Sequence, residues 1–215
     1  MDRGKMAAHT SYSRSLLLLP LPMLKLCFQC KQRLILVVGM FIFIAQCIAG
    51  HAVNENLFME VLSPDDVSYT YKIRPARTFG GVFDYMMDSV QLVPADPEDA
   101  CGELYNAPII LNSVALIKRG HCSFLSKVIV AERAGAVAVV IYDHDEKNDW
   151  SFIDMIGDGS EREASIPAVF LLGRDGNNIQ RSLHYHHLLG AVINIPVNIT
   201  GKALGLVNVP PWSLF

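Results

Sequence analysis

The stretch VALIKRGHCSFLSKVIVAERAGAVAVVIY, residues 114–142, constrains the fold more than any other part of this chain. It opens with a short apolar run, Val114 to Arg119, that reads as a buried strand. Ser123 can then cap a helix on which Phe124, Val128 and Ala131 recur at the i, i+4 and i+7 spacing of a single face. Gly135 is the residue type that ends helices through a left-handed turn. Val137 to Tyr142 follow, apolar on both faces as a fully covered strand must be. Strand, helix and strand in about thirty residues make a βαβ unit, whose parallel strands join by a right-handed crossover.

The flanking segments read as further strands. After a polar start at His51 to Asn56, Leu57 to Leu62 forms one. Val67 to Ile73 alternates Val67, Tyr69, Tyr71 and Ile73 against Ser68, Thr70 and Lys72, the period of a half-buried strand. Ser89 to Val93 is a third, followed by the turn-rich PADPEDACGEL. Asp143 to Ser165 is long, polar and without periodicity, and reads as a surface loop. IPAVFLL then predicts a strand and GRDGNNIQRSLHYHH a helix, with Ile179 and Leu183 four apart. Gly190 stops that helix, Ala191 to Val197 closes the regular structure, and the tail VPPWSLF is apolar and proline-stiffened.

The beginning of the chain has a different character. Lys25, Lys31 and Arg33 precede an unbroken apolar run, Leu34 to Ala45, and small residues follow at Ala49 and Gly50. This is the pattern of a secretory signal peptide, with cleavage after Ala49 or Gly50. Retention of Leu34 to Ala49 as a membrane anchor is the alternative, but sixteen residues rise only about 24 Å against a hydrocarbon core of about 30 Å. Nothing after residue 50 is long and apolar enough to cross a bilayer, so the remainder is expected to be luminal or secreted, away from the membrane once the leader is removed. The leader holds 6 of the 18 Lys and Arg and 1 of the 21 Asp and Glu, which leaves the remainder at net −8. An acidic body argues against nucleic acid and anionic lipid as partners.

Three cysteines, Cys27, Cys30 and Cys47, fall in the leader, and the C-x-x-C spacing of Cys27 and Cys30 has no role in a processed chain. Cys101 and Cys122 remain, and an even count in an oxidising compartment favours one disulfide. A competing reading makes Cys122 a nucleophile, since a thiol at a helix N-terminus has a depressed pKa. It needs an adjacent base, and the side chain of neighbouring His121 diverges from it. His184 and His187 would share a helix face as metal ligands do, while the plainer reading has histidines near a helix C-terminus answering the helix dipole. A luminal enzyme using Cys122 or the His184/His187 pair is therefore the alternative function. DHDEKND places Asp143 and Asp145 as a calcium loop would, but Lys147 and Asn148 stand where a ligand and a glycine are required. No hydrolase, zinc-peptidase or phosphate-loop motif occurs, and no catalytic residue, metal or cofactor is assigned. One sequon, Asn198-Ile199-Thr200, marks a glycosylation site in a luminal chain.

The stretches ALIKRGHCSFLSKVIVAERAGAVAVVIYD and SIPAVFLLGRDGNNI, from Ala115 to Ile179, resemble the protease-associated domain family. In that family a strand ends in Arg-Gly, a cysteine and an aromatic open a helix, Ala-Gly precedes a buried strand, and Ile-Pro opens another. FGGVFD, VQLVPADPEDACGEL, IPVNIT and PPWSLF resemble a small secreted glycoprotein of the same family that consists of little beyond this domain. The resemblance implies an α+β fold with a β-sandwich-like core flanked by helices, and the sequence adds the βαβ unit within it. It implies that Cys101 and Cys122 pair, that Arg119, Gly120 and Phe124 shape the strand-to-helix turn, and that Gly120 takes a backbone angle other residues avoid. It also implies a non-catalytic binding module rather than an enzyme, since related domains sit beside peptidases, in membrane ubiquitin ligases and in plant sorting receptors that hold peptides. The expected plan is a signal peptide at 1–49, the domain at 57–200 with its signature core at 80–190, and an apolar tail at 201–215. The expected partner is a protein or peptide. Asp143 to Ser165 and the tail with Trp212 and Phe215 are the candidate contact surfaces, and docking of the tail on its own domain is the alternative for the latter.

Overall fold

Each strand of this protein must place alternate side chains on opposite faces, and the sheet accommodates both sets by closing on itself. The computed structural model describes residues 57–201 and 204–213. The expected leader, its cleavage site and Phe215 lie outside the described residues. Seven strands run β1 Leu57–Ser63, β2 Thr70–Pro75, β3 Met87–Pro94, β4 Val114–Lys118, β5 Ala138–Tyr142, β6 Ala168–Leu171 and β7 Ala191–Val197. Three helices, α1 Ala107–Ile110, α2 Phe124–Arg133 and α3 Gly173–Tyr185, and 3-10 turns at Asp65–Val67 and Leu204–Leu206 complete the described elements.

The strands form a closed barrel in the order β1-β2-β6-β5-β4-β3-β7, with β7 pairing back antiparallel to β1. The run β3, β4, β5, β6 is parallel, and the other pairings are antiparallel. This corrects the expected fold class. There are not two sheets packed face to face with helices layered on them, but one mixed barrel, and the expected βαβ unit is not a layer of a sandwich: β4 and β5 are adjacent parallel strands of the barrel wall, and α2 packs against the second core on their opposite faces. The physical reason is β7: it lies between β1 and β3 and pairs with both, so the sheet has no open ends to stack. Irregular register between Phe58 and Glu60 and between Val61 and Ser63 bends β1 where it meets β7.

Side chains from all seven strands meet inside, among them Met59, Tyr71, Leu92, Leu116, Val140, Val169 and Ile193, and Ile179 and Leu183 of α3 join them. The opposite faces of β4, β5 and β6 supply Ala115, Ile117, Val139, Ile141 and Phe170 to a second core, covered by Val128 and Ala131 of α2 and by Ile110 of α1. That is why these central strands are apolar at every position. The Ser123 hydroxyl accepts the Ser126 N–H at 3.1 Å to start α2, and Gly135, at φ +83°, ends it. At Gly176 a Cβ would lie 2.2 Å from Cβ of Tyr142, so only glycine lets α3 press this closely onto β5.

Val67 differs from its expected place. It sits buried in the 3-10 turn at Asp65–Val67, and β2 begins at Thr70, because Ser63-Pro64 breaks the backbone just before and the turn closes through the N–H of Val67 and the carbonyl of Pro64. Among the described residues no helix is long and apolar enough to cross a membrane.

Candidate functional site

The turn after β4 carries most of the residues singled out from the sequence. The sulfurs of Cys101 and Cys122 are joined at 2.08 Å, with the two Cα atoms 5.7 Å apart. They tie the β3–α1 loop to the start of α2. Gly120 has φ +134°, a backbone state that side chains disfavour, and it lets the chain reverse between Arg119 and the crosslink. The Arg119 guanidinium donates to Asp143 Oδ1 at 2.9 Å, joining the ends of β4 and β5. Burial pushes the Asp143 carboxyl up, but the amide of Asn148 and the guanidinium of Arg119 outweigh it and hold the group below the usual carboxylate range. Phe124 packs edge-on against Phe170, 6.5 Å between ring centres.

A residue the sequence gave no sign of lies under the crosslink. Lys127, three residues after Phe124 and four before Ala131, is fully buried; its ammonium donates to the carbonyl of Asp99 and lies 3.5 Å from the Cys101 sulfur. Burial lowers its pKa, with the Asp99 carboxylate pulling the other way. Asp99 itself is held low by the Cys101 N–H and then, against its partial burial, by the His121 ring, 2.8 Å away. The turn is thus a closed web of partnered groups with both sulfurs already bonded.

The loop Asp143 to Ser165 has no regular structure, but it is fastened down rather than freely exposed. Met155 is fully buried, its carbonyl accepts the Arg77 N–H at 2.9 Å, and Asp158 accepts from the Ser123 hydroxyl at 2.6 Å. The hydroxyl of Ser123, followed by that of Ser160, holds the Asp158 carboxyl far below its ordinary pKa. Trp150 remains exposed.

α3, the turn at Asp65–Val67 and the tail line an open cleft of about 330 Å³ formed by Asp66, Val67, Asn178, Arg181, Ser182, Tyr185 and Trp212. Trp212 forms one wall because its indole N–H donates to Asp175 Oδ1 at 2.8 Å, its ring stands edge-on to Tyr69 at 5.7 Å, and the Arg174 guanidinium lies over it. Asp175 is only 3% exposed, and burial raises its pKa to about 6 even though the indole and Arg174 pull it down. Opposite, Asp66 accepts the Ser182 hydroxyl at 2.7 Å and pairs with His186 at 3.3 Å. Tyr185 is exposed at the rim.

The three histidines do not assemble. α3 ends at Tyr185, so His184 lies in its last turn while His187 is past it at positive φ, and among the described residues no group of three His, Cys, Asp or Glu could hold a metal ion. Asn198 follows β7, exposed, with its side-chain oxygen accepting the Thr200 N–H at 2.8 Å. The cleft was not foreseen in the sequence: the Asp66, Arg181 and Tyr185 that line it carry no motif and come together only through the barrel. The PPW stretch of the tail was its one legible sign.

A PA domain model matches residues 89–179. A relative in Drosophila melanogaster, the PRADC1-like protein, is 44% identical over 159 residues, covering 73% of this chain and 81% of that protein. The chain belongs to the PA domain family. Similarity also extends to short parts of longer proteins. The human ER degradation-enhancing alpha-mannosidase-like protein 3 is 32% identical over 87 residues, 9% of its length, and a receptor homology region, transmembrane domain- and RING domain-containing protein 3 from Arabidopsis thaliana is 35% identical over 91 residues, 21% of its length. Among solved structures, a zinc aminopeptidase from Bacillus subtilis overlays 64% of this chain and 29% of its own at TM-score 0.45 and 17% identity.

Proposed function

We propose that this PA domain protein is a secreted, non-catalytic glycoprotein that binds another protein or a peptide, with residues 1–49 acting as a signal peptide and Asn198 carrying a glycan. The observation that carries the reading is the cleft beside α3. It combines two aromatic walls, Trp212 and Tyr185, with a guanidinium, a carboxylate and an amide from Arg181, Asp66 and Asn178, the mixture of flat apolar surface and directed polar groups that protein recognition uses. The bonded state of Cys101 and Cys122 supports a structural rather than nucleophilic role for both sulfurs. The exposure of Asn198 beside a turn supports modification there. A human relative named for enhancing degradation at the ER fits a chain that enters the secretory pathway.

The test is affinity capture from extracellular fluid with the full glycosylated protein, repeated with Tyr185→Ala and Arg181→Glu, both at exposed positions. A partner retained by the wild type and lost from the variants supports the reading. Retention indifferent to both substitutions moves binding away from the cleft, and no retained protein at all, with turnover of a peptide or glycan substrate, overturns the reading.

A further inference from the structure

The tail is seated on the domain in the way a bound peptide would be. β6 meets β2 only at Arg74 and Pro75, so the start of β2 extends past its neighbour. The tail fills the place: the Thr70 N–H donates to the carbonyl of Asn208 at 2.6 Å, and the Asn208 side-chain amide donates to the carbonyl of Ser68 at 2.6 Å. Two residues on, Pro210 is buried, and the Pro210-Pro211 pair holds the backbone stiff, which lowers the entropy lost on docking. Trp212 then inserts between Tyr69 and Arg174 and reaches Asp175. Main-chain pairing, a stiff spacer and one half-buried aromatic anchor are the parts of an extended-peptide site.

The anchor position also discriminates. A carboxylate as buried as Asp175 is unfavourable unless a donor meets it, and the side chain that does so is the indole of Trp212. Phenylalanine or leucine at that place would fill space and leave the carboxylate unpaired, the arrangement that rejects an analogue lacking a donor. Beside Trp212 the cleft continues along α3 to Asn178, Arg181 and Tyr185, giving a longer ligand further contacts.

Resting on the binding reading above, we propose that residues 208–212 are a displaceable internal ligand, and that the seat beneath them takes an extended, proline-stiffened segment bearing tryptophan from another protein chain. The chain's own tail regulates the site by occupying it.

The probe is a synthetic peptide of residues 206–213, LVNVPPWS, titrated into the full glycosylated chain by calorimetry. Trp212→Ala vacates the anchor and should bind the peptide. The wild type should bind it about tenfold or more weakly, because the tethered tail competes at high effective concentration. The peptide with phenylalanine for tryptophan should bind Trp212→Ala about tenfold or more weakly than the parent peptide. Asn208→Ala, an exposed substitution that loosens the tail while leaving Trp212 in place, should bind the peptide more tightly than the wild type, and this arm decides if Trp212→Ala fails to fold. Equal affinity for the wild type and a folded variant, no preference for tryptophan, or no binding to a folded variant overturns the proposal. A partner captured by the wild type and retained in excess peptide would leave the binding function standing and remove this seat as its site.

Discussion

Replacing Trp212 with phenylalanine keeps an aromatic ring on Tyr69 and deletes the donor that serves Asp175. Asp175 is 3% exposed; burial raises its pKa to about 6, against the indole and Arg174, with Asp149 adding to the rise. Above pH 6 the group is therefore a buried carboxylate. A hydrogen bond to a charged group contributes about 1.5–3 kcal/mol, against about 0.5–1.5 kcal/mol for a neutral one. At pH 7.5 the variant should lose about 1.5–3 kcal/mol for the bond, plus a pH-independent amount for the smaller ring. As pH falls through 6, the folded wild type takes up a proton that the unfolded chain does not take up until near 3.8, so Asp175 becomes progressively less unfavourable to the fold. In the variant the folded pKa is higher still and the same relief begins sooner, so the two stability curves converge on acidification by about 1 kcal/mol or more. Urea unfolding of both proteins at pH 7.5 and 4.5 measures the difference. A destabilisation that is unchanged between the two, or larger at 4.5, refutes the coupling of Trp212 to an ionised Asp175.

Three further outcomes follow from described contacts. Cys101→Ser with Cys122→Ser opens a loop of sequence separation 21 and should cost about 3 kcal/mol in denaturant unfolding; an unchanged midpoint would show that the crosslink adds nothing to Lys127 and the Asp99 web. Gly176→Val drives a side chain into Tyr142 and should destabilise by about 1–3 kcal/mol or more, seen as a lower melting temperature, whereas a wild-type melt would mean that α3 does not press on β5 as described. Asn198→Gln, expressed through the secretory pathway, should lose one glycan's worth of mass on a gel, and a variant that migrates with the wild type before and after deglycosylation would remove Asn198 as a glycan site.

The strands and helices were legible because burial imposes a period, and the period is local. β4, β5 and β6 declare themselves through runs such as VAVVIY, and α2 through Ser123, the spacing of Val128 and Ala131, and Gly135. Closure was not legible: whether β7 ends a sheet or joins β1 to β3 depends on contacts between residues as distant as Glu60 and Asn194, and alternation along AVINIPV is the same in either case. The burial of Lys127 was not legible for a related reason. Its ammonium is satisfied by the Asp99 carbonyl, a partner 28 residues away that the helical pattern does not record. The tail was half legible: VPPWSLF announced stiffness and an aromatic end, while the carboxylate that receives Trp212 hides in the polar GRDGNN, where nothing distinguishes Asp175 from a solvated first-turn acid.

The continuous seven-strand wall has a consequence for how such a molecule keeps company with its own kind. A sheet with loose margins can recruit identical chains strand upon strand, and proteins with exposed margins need charges or prolines to prevent it. Here every strand of the wall has a pairing neighbour on each side within the same chain, and the start of β2, beyond the reach of β6, is met by the carbonyl of Asn208. Closure removes the free edge strand on which such stacking depends.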